Sequence, residues 1–196
     1  MVVLTDLERE LVLKLFKDFS KDYNPSSVAK EVNKTRMGTF KALQSLEAKG
    51  IMKGQTLGKA RFYKLNLESP YARKTAELLL MDEANQHQRW VDEFKELFQY
   101  LNIAIIFGSI IKNENKAQDI DVLLVYPEKN NASVNAFIKE KNEILVKKIH
   151  PVKQTNEDLI KSLKKKDEVM IDAIRTGVVL HGFQEFVELI ANVRSQ

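Results

Sequence analysis

The sequence predicts an α+β protein built as two domains joined by a helical segment. Three observations carry that reading. Apolar residues keep helical spacing through the first third of the chain, then fall into short β-branched runs near residues 105 and 123. The charge is unevenly divided: residues 30–64 hold nine Lys and Arg against two Asp and Glu, whereas residues 69–196 hold 18 against 19. The chain has 196 residues, 44% hydrophobic and 30% charged, enough for one large core or two small ones.

The elements follow in order. Thr5-Asp6-Leu7-Glu8 offers an N-cap and acidic first-turn residues. Leu7, Leu11, Val12, Leu15, Phe16 and Phe19 form a helical stripe behind it. Asn24-Pro25-Ser26 breaks that helix, residues 25–32 form a second, and Asn33-Lys34-Thr35 is a turn. Thr35 or its neighbour opens a third helix with Phe40, Leu43 and Leu46 as its buried face, stopped by Gly50. Strand-like pieces at 51–56 and 60–65 flank the tight connection Leu57-Gly58-Lys59.

Ser69-Pro70 is an N-cap and N1 pair that starts a helical stretch to about Leu101, open to a break near 85–88. Leu78, Leu79, Met81, Trp90, Phe94, Leu97 and Phe98 keep helical spacing there, as a linker, a dimerisation helix or the first helix of the next domain. Strands are expected at 103–107, 120–126 and 144–149, and helices at 133–141, 155–165 and 167–175. A short apolar piece, Val178-Val179-Leu180, precedes a helical tail after Gly182. The expected domains are 1–68 and 102–196, with 69–101 as a linker helix.

Composition excludes several chemistries. With no Cys, the sequence has no disulfides, thiolate zinc sites or cysteine nucleophiles. The three His are not spaced as a ligand set, and His87, His150 and His181 read as structural residues. No P-loop or Ser-His-Asp pattern is visible. The N-terminus shows no basic region ahead of an apolar run, and no apolar run approaches a membrane span. A cytoplasmic protein without a membrane partner is expected.

The local charge of +7 over residues 30–64 points to a polyanion. The order helix, helix, turn, helix, hairpin over residues 5–66 resembles the winged helix-turn-helix family. It does so on Ser27-Val28-Ala29-Lys30-Glu31-Val32-Asn33, on the segment from Thr39 to Ile51 that ends Leu46-Glu47-Ala48-Lys49-Gly50-Ile51, and on the Gly58 hairpin. That resemblance implies double-stranded DNA as a partner. The polar face of the third helix would offer Lys34, Thr35, Arg36, Thr39, Lys41 and Gln44 to base edges. The wing would offer Lys53, Gln55, Lys59 and Arg61 to phosphates or the minor groove. Domains of this kind also serve as protein–protein modules with the basic residues merely solvated.

The most informative segment is Phe107-Gly108-Ser109, nine residues, then Asp119-Ile120-Asp121-Val122-Leu123-Leu124-Val125. Residues two apart on a strand point the same way, so Asp119 and Asp121 set two carboxylates side by side. Such a pair repels itself unless a cation intervenes, and Mg²⁺ is the usual hard oxygen-ligated occupant. Gly108 allows close backbone approach, and the Ser109 hydroxyl suits a phosphate. An apolar strand, Gly-Ser, about ten residues and Asp-x-Asp on the next strand resemble the polymerase-beta-type nucleotidyltransferase superfamily in its minimal form. The likeness covers about residues 101–182.

The resemblance implies an enzyme that binds a nucleoside triphosphate at Gly108 and Ser109, with Lys112 as a basic nucleotide-binding candidate near the turn besides Lys116. It implies divalent metal at Asp119 and Asp121, which also carry the catalysis. It further implies transfer of a nucleotidyl group to a hydroxyl on a protein or small molecule, since minimal members of the family often act as antitoxins that modify a partner. The strand after Asp-x-Asp departs from the family: it has no third carboxylate, and Lys148 or His150 stands in the expected place. That departure supports a second reading, a transcriptional regulator whose degenerate nucleotidyltransferase domain senses nucleotide or mediates association. Either protein is expected to read DNA as a homodimer.

Overall fold

The computed structural model describes residues 3–194, and the chain divides between Leu79 and Leu80 into two compact units. The first begins with α1 (Asp6–Lys17). A reciprocal capping box closes its N-terminus, Thr5 Oγ1 accepting from Glu8 N–H and the Glu8 carboxylate accepting from Thr5 N–H. Leu11, Val12, Leu15 and Phe16 are buried along it. Leu7 is only half-buried, and Phe19 is buried from beyond the helix end. Two further capped helices follow, the short α2 (Pro25–Glu31) behind Asn24 and α3 (Arg36–Ala48) behind Thr35. The hairpin β1 (Met52–Leu57) and β2 (Ala60–Leu65) closes the unit, turning at Gly58 in the left-handed region. Tyr23 adds a single bridge to Tyr63. Three helices and a hairpin in this order make a winged helix-turn-helix fold.

The buried face of α3 differs from expectation. Thr39, Leu43 and Leu46 face inward, while Phe40 is half-buried. The inward stripe runs at i, i+4, i+7 from Thr39, so the helix is turned by about one residue from the stripe that aromatic content alone suggests.

The helical stretch from Ser69-Pro70 breaks at residues 86–87, where the sequence left room for it. α4 (Pro70–Asn85) ends, and α5 (Gln88–Phe94) and a 3-10 turn (Lys95–Tyr100) follow. Trp90, Phe94, Leu97 and Leu101 are packed into the core of the second unit rather than lying on a linker.

The second unit is a four-stranded mixed sheet in the order β5-β4-β3-β6. Its strands are β3 (Ile103–Phe107), β4 (Asp119–Val125), β5 (Lys148–Gln154) and β6 (Val178–His181). β3 runs antiparallel to β4 and β6, and β4 parallel to β5. The helices are a short α6 (Ser109–Lys112), α7 (Asn131–Ile144), α8 (Asn156–Lys164), α9 (Glu168–Thr176) and α10 (Phe183–Arg194). Ala104, Ile106, Ile120, Val122 and Leu124 pack on the side of α5 and α7. Ile103, Ile105, Leu123 and Val125 are buried on the opposite side. A sheet buried on both faces explains the near-continuous apolar reading of β3 and β4.

The strand expected at 144–149 lies four residues later. α7 continues to Ile144, and Ile144 and Val146 are exposed at 74% and 96%. Their β-branched side chains read as a strand only because sequence does not show where the helix ends. Among the described residues no helix is long and apolar enough to cross a membrane.

Glu8 is buried yet ionised. Burial pushes its carboxyl up, but the Lys49 ammonium at 2.6 Å and the Thr5 N–H outweigh that and hold it below the ordinary carboxylate value. A folded value depressed in this way contributes stability above the unfolded value and loses it as pH falls through the folded one. Glu8→Gln is therefore expected to flatten the acid side of the thermal stability profile and to lower Tm at neutral pH. Calorimetry between pH 3 and 7 checks both.

Candidate active site

The site is built where β3 ends and β4 begins. Antiparallel pairing sets Phe107 opposite Asp121, so the chain leaves β3 directly over the Asp121 carboxylate. Gly108 makes that exit with φ 80° and ψ −150°. A Cβ there would lie 2.5 Å from Asp121 Oδ2. Only glycine fits both the dihedrals and the space. Ser109 then opens α6 with its side chain exposed, and Lys112 ends that turn, also exposed.

Asp119, Asp121, Leu123 and Val125 share one face of β4. Leu123 and Val125 are fully buried, whereas the two carboxylates at the start of the strand stay half-exposed. Parallel pairing brings Lys148 opposite Asp119 and His150 opposite Asp121. The Lys148 ammonium turns away and is held by the Leu145 carbonyl at 3.0 Å and by the Asn142 carbonyl, at the end of α7. His150 turns in: its Nδ1 lies 3.0 Å from Asp119 Oδ2. One ligand atom each from Asp119, Asp121 and His150 fall within 4.8 Å of one another. Burial, then repulsion from Asp119, pushes the Asp121 carboxyl above its ordinary value, and His150 opposes the rise.

The structure thus resolves the place of the absent third carboxylate in favour of His150. His150, read from sequence as a packing or hydrogen-bonding residue, lies beside both carboxylates. No carboxylate occurs on β5, whose sequence is Lys148-Ile149-His150-Pro151-Val152-Lys153-Gln154. The signal that reveals His150 is its register with Asp121, and sequence alone left that register uncertain by a residue or two.

Lys147 steadies the loop between α6 and β4 by donating to the Ala117 carbonyl at 2.7 Å and to the Glu114 carbonyl. Arg89 pairs with Glu114 in the same loop while its guanidinium lies over the Trp90 ring at 4.9 Å. Neither contact is legible in sequence. His181 is stacked on Phe98 at 4.6 Å, and burial holds its imidazole below the ordinary value, as a structural histidine requires.

In the first unit the residues expected on DNA separate into groups. Lys34, Arg36, Lys41 and Lys59 are exposed and make no ion pair among the described residues, and Gln44 and Gln55 are exposed beside them. Thr35 is spent on capping α3 through Gly38 N–H. Thr39 is fully buried and cannot reach a base edge, which corrects its assignment to the polar face of α3. Arg61 is held by Glu47 at 2.5 Å and Lys53 by Glu68 at 2.5 Å. These two wing cations are therefore partly neutralised within the protein. Between helix and wing lies a groove of about 610 Å³ whose lining includes Arg36, Met37, Phe40, Lys59 and Arg61.

Residues 88–176 match the family model described as a nucleotidyltransferase domain, so the second unit carries that domain. Its match begins at α5, in agreement with the packing of Trp90 and Phe94 against the sheet. No curated protein matches the chain. Among solved structures, the adhesin competence repressor AdcR of Streptococcus pyogenes is 17% identical with a TM-score of 0.35. That likeness covers 49% of this chain and 66% of the repressor, just under two thirds of its length. ZitR of Lactococcus lactis is 14% identical with a TM-score of 0.36, over 73% of this chain and 76% of that one. Both likenesses are too weak to argue from.

Gly108→Ala is expected to force the turn off its dihedrals and drive the Asp121 carboxylate aside. The cost is about 1–3 kcal/mol of stability. A lowered Tm, measured by calorimetry, checks it; an unchanged Tm would contradict the close approach argued above.

Proposed function

We propose, on the premise of the nucleotidyltransferase domain over residues 88–176, that this chain is a DNA-binding nucleotidyltransferase. It moves a nucleotidyl group from a nucleoside triphosphate to a hydroxyl on a protein or small molecule. The observation that carries this reading is the convergence of Asp119, Asp121 and His150 beneath the Gly108-Ser109 turn. Two carboxylates and an imidazole form a donor set that fits a divalent cation.

Asp119, Asp121 and His150 would hold a divalent cation, which would supply neutralising charge for the triphosphate and Lewis-acid polarisation of the α-phosphate. The rest falls to the chain's own groups. The backbone at Gly108 and the Ser109 hydroxyl receive phosphate oxygens, and Lys112 adds a compact positive charge at the rim. The acceptor oxygen bonds to the α-phosphorus, the bond from that phosphorus to the bridging oxygen breaks, pyrophosphate leaves, and the hydroxyl proton passes to solvent water. The winged helix places α3 in the major groove, with Lys34, Arg36, Lys41 and Gln44 toward the duplex and Lys59 on the wing toward phosphate. Homodimerisation would present two such units to paired half-sites.

One observation favours a second reading. With no carboxylate on β5, the domain lacks an oxygen ligand and proton acceptor there. It would then sense nucleotide or mediate association within a transcriptional regulator.

Calorimetric titration with each nucleoside triphosphate, with divalent metal and with EDTA, separates the two. The enzyme reading expects metal-dependent binding that Asp119→Ala abolishes while affinity for duplex DNA stays unchanged. Metal-independent binding identifies a sensor, and no binding sinks the enzyme. On the DNA side, replacing Lys34 and Lys41 together by Ala is expected to lower the slope of log affinity against log salt by about 2. Fluorescence anisotropy of a labelled duplex at several ionic strengths reads that slope.

A further inference from the structure

The cluster on β4 and β5 is not an all-oxygen site. Its third donor is a nitrogen, and the structure accounts for how it arrives there. Parallel pairing opposes His150 to Asp121, Pro151 follows it, and Lys148 is drawn off to the α7 carbonyls, which leaves the imidazole as the group of β5 facing the carboxylates. The 3.0 Å between His150 Nδ1 and Asp119 Oδ2 is also the edge expected between adjacent ligand atoms of an octahedral shell about 2.1 Å in radius. The imidazole is 63% exposed, so it is reached from solvent. Gly108, closed over Asp121 Oδ2, fixes one carboxylate of the pair in place.

Donor type decides which cation such a set prefers. Mg²⁺ is hard, favours oxygen and keeps its water. Imidazole suits first-row transition ions, and affinity of mixed nitrogen and oxygen sites rises along that row from Mn²⁺. We infer that His150 is a direct metal ligand that converts this site from a Mg²⁺ site to one that prefers first-row transition cations, with Mn²⁺, the weakest binder of that row, as the paramagnetic probe of the preference. This inference rests on the nucleotidyltransferase reading of the same site and changes the ion that the domain takes.

The test uses the full chain loaded with Mn²⁺ or Mg²⁺ alone, with no nucleotide and no turnover. Calorimetry gives the two affinities, and pulsed electron paramagnetic resonance of the Mn²⁺ form detects a nitrogen nucleus bound to the ion. The wild type is expected to bind Mn²⁺ more tightly than Mg²⁺ and to show directly bound nitrogen. His150→Asp is expected to lose the nitrogen signal and to shift the preference toward Mg²⁺. His150→Ala is expected to lose the nitrogen signal and weaken Mn²⁺ more than Mg²⁺. Circular dichroism confirms that each variant is folded, which the exposure of the side chain favours. Mn²⁺ bound without coupled nitrogen, or the same ion preference in all three proteins, overturns the role of His150 while leaving the nucleotidyltransferase reading intact. Failure of every variant and of the wild type to bind either ion overturns both.

Discussion

The register of β3 against β4 is the constraint on which the chemistry of the second unit depends. It sets Phe107 opposite Asp121, so the chain that leaves β3 must pass over a carboxylate at van der Waals range. Only a residue without Cβ can make that exit at φ 80°. The same strand edge carries Asp119 on the same face, and β5 delivers His150 in parallel register. A slip of β4 by one residue against β3 would turn Asp119 and Asp121 into the core and bring Ile120 to the surface, and a slip of β5 would turn His150 to the other face. The burial of Ile120, Val122 and Leu124 beside Trp90 and Phe94 prevents that slip. The apolar core of the sheet thus fixes a polar site that contributes little stability of its own.

The first unit follows a different logic, in which charge is distributed between holding the fold and leaving it available. Lys49 at the end of α3 neutralises the buried Glu8 at the start of α1, and Arg61 neutralises Glu47 across α3 and β2. These pairs tie the helices and the wing together. Of the cations left over, Lys34, Arg36, Lys41 and Lys59 sit on α3, on the turn before it and on the wing. A count of basic residues overstates the field that faces a polyanion, because two of the wing cations are already partnered.

Much of this was legible in the chain. The N-cap at Thr5, the helix start at Thr35, the hairpin at Gly58 and the strand of 103–107 follow from local rules. So does the motif of Gly108, Ser109, Asp119 and Asp121, because its parts are close in sequence and their spacing encodes a strand, a turn and a strand. Other features were not. Thr39 looked like a member of a polar recognition face, yet packing turned α3 to bury it. Ile144 to Val146 looked like a strand, yet α7 ran on through Ile144. At Thr39 packing overrode the local pattern, whereas Ile144 and Val146 are exposed and their β-branched run lies at a helix end that local sequence does not mark.

The sequence by itself determined the two-unit α+β plan, the winged helix and the pair of carboxylates after a Gly-Ser turn, because each is written in short-range spacing and composition. Only the tertiary structure decided what completes the pair. His150 lies 29 residues beyond Asp121 and meets it through a crossover whose length and helix end the sequence does not fix. A parallel neighbour is specified by the packing of α7 and the sheet, not by any local signal, so the nitrogen donor became visible only once β4 and β5 lay side by side.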